Sequence, residues 1–231
     1  MSNTLEEVGL TQAEAEASSA AELVSFALER FSPRVAIASS FGAEDVVLIH
    51  LAAQAGRDFR VFTLDTDFLF RETYELIDDI ERRYKIKVER TRPRLSPEEQ
   101  AASFGEALWS RQPDRCCNIR KVEPLTHMLG ELDAWVTGIR RDQAPTRANA
   151  RKLEWDAKFS LIKFNPLADW KWGEVWDYIR SHDIPYNPLH DQGYPSIGCT
   201  HCTRQVQAGE DLRAGRWTGF QKTECGLHVA K

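Results

Sequence analysis

The stretch RVAIASSFGAEDVVLIHLAAQ, residues Arg34–Gln54, contains three successive patterns. Its first part is a short apolar run rich in β-branched residues, which is typical of a buried strand. A loop of small residues follows, and then an amphipathic segment, Glu44–Gln54, that predicts a helix. A strand, a small-residue loop and a helix form the first unit of a parallel sheet covered by helices.

The alternation of strand-like and helix-like segments continues beyond this unit. Further strands are predicted over Phe59–Asp65, Ile86–Arg92 and Ala134–Arg140, and helices over Thr11–Phe31 and Arg71–Lys85. Alternating strands and helices predict an α/β fold with a doubly wound, mainly parallel sheet and helices on both faces. Ligands of such folds bind at the carboxyl ends of the strands, so the loops there are expected to carry the functional residues.

The chain divides into three segments on this interpretation. Residues 1–30 form an N-terminal helical segment, 31–205 the α/β domain, and 206–231 a flexible C-terminal tail. Regular periodicity fades after about Asp191, where Gly, Cys, Arg and Trp accumulate. The last residues are therefore predicted to carry function rather than to extend the sheet.

The composition is that of a globular protein. The 231 residues include 30 Lys+Arg and 35 Asp+Glu, giving a net charge of −5, and 42% are hydrophobic. These values exclude low-complexity, collagen-like and wholly disordered chains, and they give no general reason to bind nucleic acid. No apolar run reaches the roughly 18 residues of a membrane span, and the acidic start does not resemble a secretory signal. The sequence predicts a cytoplasmic protein without nucleic-acid or membrane partners.

The loop between the first strand and its helix, Ser39–Asp45, is a candidate anion site. Its small residues let backbone N–H groups approach phosphate oxygens, and the N-terminus of the following helix adds partial positive charge. The loop has neither the GxxxxGK[ST] nor the GxGxxG nucleotide-binding pattern. A Ser-Gly turn that only caps the helix explains the same residues.

Arginines follow one predicted strand and recur in the tail. Arg140, Arg141 and Arg147 lie in the first group, and Arg213 and Arg216 in the second. Guanidinium forks bind phosphate and sulfate through two hydrogen bonds, so their convergence on one crevice would suit a small dianion. For any single one of them, a solvated charged loop is the better explanation.

The cysteines are the most specific feature of the sequence. Cys116-Cys117 and Cys199-x-x-Cys202 form two pairs, and Cys225 stands alone near the end. An odd number of cysteines in a reducing compartment favours metal ligands or a reactive thiol over disulfides. The four paired thiolates can hold a zinc ion or an iron-sulfur cluster. Cys225, in a polar segment beside a glycine, is either an accessible reactive thiol or an incidental surface thiol.

Taken together, these motifs resemble those of the assimilatory sulfonucleotide reductases, from about Phe31 to the C-terminus. The cysteine pairs resemble the 4Fe-4S signature of the bacterial adenylyl-sulfate (APS) reductases, whereas relatives that require phosphoadenylyl sulfate (PAPS) usually lack it. In order, the matching motifs are Ser40-FGAED, Leu64-DT, Glu72-TYE, Cys116-CNIRKVEPL, Val136-TGIRRDQAPTR, Ile184-PYNPLHDQGYPSIGCTHCTR and Lys222-TECGLH.

The resemblance implies a PP-loop fold of the adenine nucleotide alpha-hydrolase type and one 4Fe-4S cluster per chain. The segment Asp67-Phe68-Leu69 departs from the family, since many members have Gly and a basic or polar residue there. Residue roles are also implied: Cys116, Cys117, Cys199 and Cys202 as cluster ligands, Ser40, Gly42, Glu44 and Asp45 facing the phosphosulfate, Leu64 and Thr66 beside the adenosine, Arg147, Arg213 and Arg216 around the anionic group, and Cys225, Lys121 and His228 in catalysis.

The activity implied by the resemblance is the thioredoxin-dependent reduction of APS to sulfite and AMP, in sulfate assimilation and cysteine biosynthesis. Cys225 would carry the sulfonate as an S-sulfocysteine, and the donor would be reduced thioredoxin or a glutaredoxin-like protein. A homo-oligomer is possible for this family. The alternatives are a PAPS or dual-specificity reductase, a PP-loop adenylating enzyme, and a non-catalytic zinc-binding module.

Overall fold

A computed structural model of the chain describes residues 8–222 and 224–227. Over these residues the chain forms a six-stranded sheet in the order β3-β2-β1-β4-β6-β5. Strand β5 pairs antiparallel with β6, and the other neighbouring pairs are parallel. The predicted, mainly parallel sheet is therefore confirmed. The strands are β1 Val35–Ala38, β2 Arg60–Leu64, β3 Val88–Thr91, β4 Ala134–Val136, β5 Leu153–Asp156 and β6 Leu161–Phe164.

Helices precede, connect and follow the strands. A π-helical turn, Asn118–Val122, links two of the helices, and short 3-10 turns follow β4 and the last helix. No helix of the described residues is both long and apolar enough to cross a bilayer. The helices are α1 Gln12–Ala17, α2 Ala20–Phe31, α3 Ala43–Gln54, α4 Arg71–Tyr84, α5 Pro97–Phe104, α6 Leu108–Arg111, α7 Pro113–Cys117, α8 Glu123–Leu129 and α9 Trp172–Ser181.

The single helix predicted over Thr11–Phe31 is two helices. Ser19 is the N-cap of α2: its hydroxyl accepts from the Glu22 N–H at 3.3 Å, and its own N–H donates to the Glu22 carboxylate at 2.8 Å. This reciprocal capping satisfies N–H groups that a helix start leaves without partners. The chain leaves α1 at Ser18, where the backbone is extended. A capping signal inside an Ala-rich run therefore outweighs the helix propensity of that run.

Both faces of the sheet are covered, as predicted. Helices α2, α3, α4 and α9 build one core with Ile37, Val61 and Phe164, and the N-terminal α1 packs into this same core. Helix α8 covers the other face, where alternate strand residues Phe62 and Trp135 point. The segment Glu44–Gln54 is not amphipathic in its setting: α3 packs against α2 and α9 as well as β1, and most of its residues are buried.

Candidate active site

The carboxyl ends of β1, β2 and β4 border a cavity of about 210 Å³. Of the residues singled out in the sequence, Thr66 is buried and does not border this cavity, and His228 lies outside the described residues. The cavity wall does include Ser40, Gly42, Glu44, Asp45, Leu64, Lys121, Arg147, Arg213, Arg216 and Cys225. Residues far apart in the sequence therefore meet at the sheet edge where the fold predicts a ligand.

The loop after β1 is held in shape by Asp45. The Asp45 carboxylate accepts from the Ser40 N–H at 2.6 Å and from the Ser40 hydroxyl at 2.8 Å. Phe41 has a φ of +60°, and the Ser39 hydroxyl accepts from its N–H at 3.1 Å. Gly138, after β4, passes so close that a Cβ there would lie 2.5 Å from Asp45 Oδ1. Asp45 is thus a support of the loop as well as part of the cavity wall.

Asp45 makes the stability of the fold depend on pH. Burial and the adjacent Glu44 raise the pKa of Asp45 to about 6 from 3.8, against the hydrogen bonds from Ser40. Because the folded pKa is the higher one, the contribution of Asp45 is full below pH 3.8 and is lost as the pH rises through about 6. We expect the free energy of unfolding of wild type relative to Asp45→Asn to fall by on the order of 2 kcal/mol between about pH 4 and 7.

Urea unfolding of both proteins at several pH values measures this difference. The exposed Asp58 provides the control, since Asp58→Asn makes the same substitution outside the core. A constant difference for Asp45→Asn would contradict the role of burial at Asp45.

Arg140 and Glu44 form a buried ion pair at the cavity wall. The Arg140 Nε donates to Glu44 Oε1 at 2.8 Å, and the two side chains are 2% and 12% exposed. Gln143 also donates to Glu44 Oε1, at 2.9 Å. Arg141 instead pairs with Glu16 of α1 at 2.7 Å. Of this group of arginines, Arg140 therefore ties the end of β4 to α3, and Arg141 binds an N-terminal helix rather than bordering the cavity.

The C-terminal tail closes over the cavity through Glu224. Both nitrogens of the Arg147 fork, Nε and Nη2, donate to the Glu224 carboxylate at 2.8 Å, and Arg213 donates at 3.3 Å. Burial disfavours the charge of Glu224, but its hydrogen bonds and the charges of Arg147 and Arg213 outweigh this and lower its pKa. Cys225 directly follows and borders the cavity. Sequence reasoning missed Glu224, although a lone acid beside a suspected nucleophile and near basic residues was a usable signal.

The four paired cysteines line a second cavity, next to the first. Lys121 and Trp217 border both cavities, so they form the wall between them. Burial opposes the charge of Lys121, but the nearby Cys199 and Cys225 side chains outweigh this and raise the pKa of Lys121. The cysteine cavity is lined by Cys116 and Cys117 from α7, by Cys202 from the 3-10 turn Thr200–Cys202, and by Cys199, which directly precedes this turn.

The donor set of the second cavity fits an iron-sulfur cluster. The sulfur atoms form no disulfide, and soft thiolates are the ligands of such clusters. Four cysteine thiolates are also a donor set of structural zinc sites.

Arg120 holds the segment Asp67-Phe68-Leu69 against the cysteine cavity. Its guanidinium is 1% exposed, donates to Asp67 Oδ2 at 3.0 Å and to Thr66 O at 2.9 Å, and lies 4.5 Å from the Phe68 ring centroid. The Thr66 hydroxyl lies 3.3 Å from Cys199 Sγ. Asp67 and Phe68, which depart from the family motif, thus pack beside the cysteine cavity. Leu69, the third residue of the segment, borders the first cavity.

Comparison with known proteins identifies the family. Residues 34–205 match the phosphoadenosine phosphosulfate reductase domain. The chain belongs to the phosphoadenosine phosphosulfate reductase family. One member, the adenosine 5'-phosphosulfate reductase of Staphylococcus haemolyticus, is 50% identical over 210 residues, which cover 90% of this chain and 86% of that protein.

Solved structures agree with this placement in the phosphoadenosine phosphosulfate reductase family. The phosphoadenylyl-sulfate reductase of Candida auris, in its phosphate complex, superposes with a TM-score of 0.78 at 28% identity, over 88% of this chain and 99% of that one. The FMN adenylyltransferase of Candida glabrata, in complex with FAD and pyrophosphate, superposes with a TM-score of 0.58 at 17% identity, over 85% and 72% of the two chains. The second likeness concerns the fold alone, and both confirm the predicted PP-loop type of α/β fold.

Proposed function

We propose that this member of the family is an APS reductase that forms sulfite and AMP with electrons from a dithiol protein. The observation that carries the proposal is the position of Cys225, which borders the same cavity as the Ser40–Asp45 loop and the cations Lys121, Arg213 and Arg216. A thiol beside an anion-binding loop and several cations suits attack on an anionic sulfuryl group. The 50% identical relative that is named an APS reductase supports the same substrate.

In the proposed mechanism the Cys225 thiolate attacks the sulfur of the phosphosulfate in line with the bridging oxygen. The new S–S bond forms as the S–O bond breaks, so that AMP leaves and Cys225 becomes an S-sulfocysteine. A thiolate of the reduced donor then attacks the Cys225 sulfur and expels sulfite. The second thiol of the donor resolves the mixed disulfide, supplies the second electron and restores the Cys225 thiol.

The cavity residues would lower the barrier to the first step by compensating charge. A thiolate and a sulfuryl oxyanion repel each other, and fixed cations at this point offset the repulsion without reorganising. Lys121, Arg213 and Arg216 would serve this role, because all three border the cavity together with Cys225. We assign the adenosine to the side bordered by Leu64, whereas Thr66 would act from behind the wall, since its side chain is buried.

We further propose that Cys116, Cys117, Cys199 and Cys202 hold one 4Fe-4S cluster. When bound, the cluster would supply structure and fixed charge. It would not supply electrons to the reaction, since the donor dithiol supplies both of them. Lys121, in the wall between the two cavities, would carry that influence to the substrate side. Reactive and ligating thiols of this kind need a reducing compartment, which supports the predicted cytoplasmic location and a thioredoxin or glutaredoxin-like donor. The oligomeric state stays a prediction.

Sulfite production tests the proposal directly. Anaerobically purified protein is given reduced thioredoxin and either APS or PAPS, and its iron and zinc contents are measured on the same sample. We expect a strong preference for APS and about four iron atoms per chain. Equal rates would support a dual reductase, and a preference for PAPS would favour the activity named in the Candida auris relative. Zinc without sulfite would support the binding module and contradict our proposal.

A further inference from the structure

Glu224 accepts four hydrogen bonds from neighbouring side chains. Its carboxylate accepts two hydrogen bonds from the Arg147 fork, one from Arg213 and one, at 3.1 Å, from the Thr146 hydroxyl. The residue is 9% exposed. Paired geometry of this kind fixes both the position and the orientation of a carboxylate. The Glu224 side chain is therefore fixed relative to the 3-10 turn that carries Thr146 and Arg147.

Cys225 is the next residue along the chain. Adjacent Cα atoms are about 3.8 Å apart across a trans peptide, so fixing Glu224 confines the backbone of Cys225 to the same small region. Cys225 in turn borders the cavity with Lys121 and Arg216. We propose that Glu224 is a positioning residue that holds Cys225 at the cavity, and that Arg147 serves as its anchor rather than as a contact of the substrate anion. The link to catalysis rests on the proposed function.

Arg147 and Arg216 have different roles on this proposal. Both nitrogens of the Arg147 fork, Nε and Nη2, donate to Glu224, and the Arg147 side chain is 11% exposed. Arg216 instead donates to the Ser196 hydroxyl at 3.2 Å and to Ile197 O at 3.3 Å, and it borders the cavity. Hydrogen bonds to neutral oxygens leave the charge of Arg216 available to an incoming anion. One arginine therefore closes the tail while the other faces the ligand.

The accessibility of the Cys225 thiol tests the anchor without relying on turnover. Iodoacetamide reacts with the protein in the absence of nucleotide, and mass spectrometry of the C-terminal peptide follows the labelling of Cys225 alone. We expect Glu224→Gln to accelerate labelling by about tenfold or more, because the neutral amide loses the paired charge that closes the tail. Glu210→Gln is the matched control: Glu210 pairs with Arg204 at 2.8 Å, both partly exposed, and its loss should leave labelling unchanged.

Removing a negative charge next to Cys225 could also change labelling by favouring the thiolate. Rates are therefore measured from pH 6 to 10 and compared on the plateau where the thiol is fully ionised, since the plateau reports access alone. Arg147→Met should raise the plateau in the same direction as Glu224→Gln, and the effects should be less than additive in the double variant because both changes break the Arg147–Glu224 pair. Equal plateaus for wild type and Glu224→Gln would overturn the proposal.

Kinetics separate positioning from substrate binding. For Glu224→Gln we expect kcat for sulfite to fall by about tenfold or more while KM for APS stays within about twofold, because the ground-state contacts of the nucleotide remain. Glu224→Asp keeps the charge and should recover part of both the protection and the rate. A raised KM with unchanged kcat would overturn the positioning role. Accelerated labelling in a protein that forms no sulfite would support the anchor and contradict only the proposed function.

Discussion

Cys225→Ser is expected to lower sulfite formation by at least about a thousandfold, because a serine hydroxyl is a far weaker nucleophile than a thiolate at neutral pH. Nucleotide affinity should change little, since Cys225 is one of many residues around the cavity and the loop and arginines remain. The measurement pairs a sulfite assay under thioredoxin turnover with AMP binding by calorimetry. Wild-type and variant samples are matched for iron content, so that a lost cofactor cannot imitate a lost nucleophile.

The S-sulfocysteine gives this prediction a direct second readout. Wild-type protein mixed with APS without a donor should gain the mass of one sulfonate on the C-terminal peptide, and Cys225→Ser should gain none. Sulfite formation at a normal rate by the variant would contradict the assignment of Cys225 as nucleophile. A sulfonate found on another cysteine of wild type would contradict it as well.

Cys199→Ala is expected to reduce the iron content from about four atoms per chain to well under one. Cys199 is buried and its sulfur lies 3.3 Å from the Thr66 hydroxyl, so the lost ligand cannot be replaced from solvent. Because metal binding adds to the free energy of folding, the melting temperature should fall together with the iron content. Iron and acid-labile sulfide analysis, the visible absorbance and a thermal melt provide the readouts.

Cys225→Ser serves here as the matched control, since it removes a thiol that lies outside the cysteine cavity. It should retain the full iron content and the wild-type melting temperature. Full iron content in Cys199→Ala would show that this cysteine is not a ligand. Stoichiometric zinc in place of iron in wild type would contradict the cluster itself and favour a mononuclear site.

The parts of the fold that repeat a local pattern could be predicted from the sequence. Strands β1 to β3 and helix α4 lie within the predicted ranges, because a buried parallel strand and a charged amphipathic helix each have their own periodicity. The antiparallel pair β5 and β6 was missed. Each of these strands has four residues, which is too short for a reliable pattern. The burial of α3 on all sides was also missed, since it depends on the docking of α9.

At the candidate site the sequence indicated the types of residue involved but not the partners that they bind. The sequence indicated that several arginines would suit a small dianion if they converged on one crevice, and the structure brings Arg140, Arg147, Arg213 and Arg216 to the first cavity. The sequence could not show that Arg140 forms an ion pair with Glu44, or Arg147 with Glu224. These partners lie 96 and 77 residues away along the chain. Which carboxylate a given arginine binds is decided by the whole fold, so a single sequence pattern does not determine it.

The tail is anchored on three separate parts of the molecule. Lys222 pairs with Asp114 of α7, Glu224 binds Arg147, and Lys158, between β5 and β6, donates to the carbonyl of Gly226. A thiol held this way is an intramolecular reactant, with an effective concentration in the millimolar range or above that no free thiol need match. On the proposed mechanism, noncovalent anchors would let the same thiol leave the cavity after sulfonation. Nucleotide and donor protein would then use one sulfur atom in turn without ever occupying the same space.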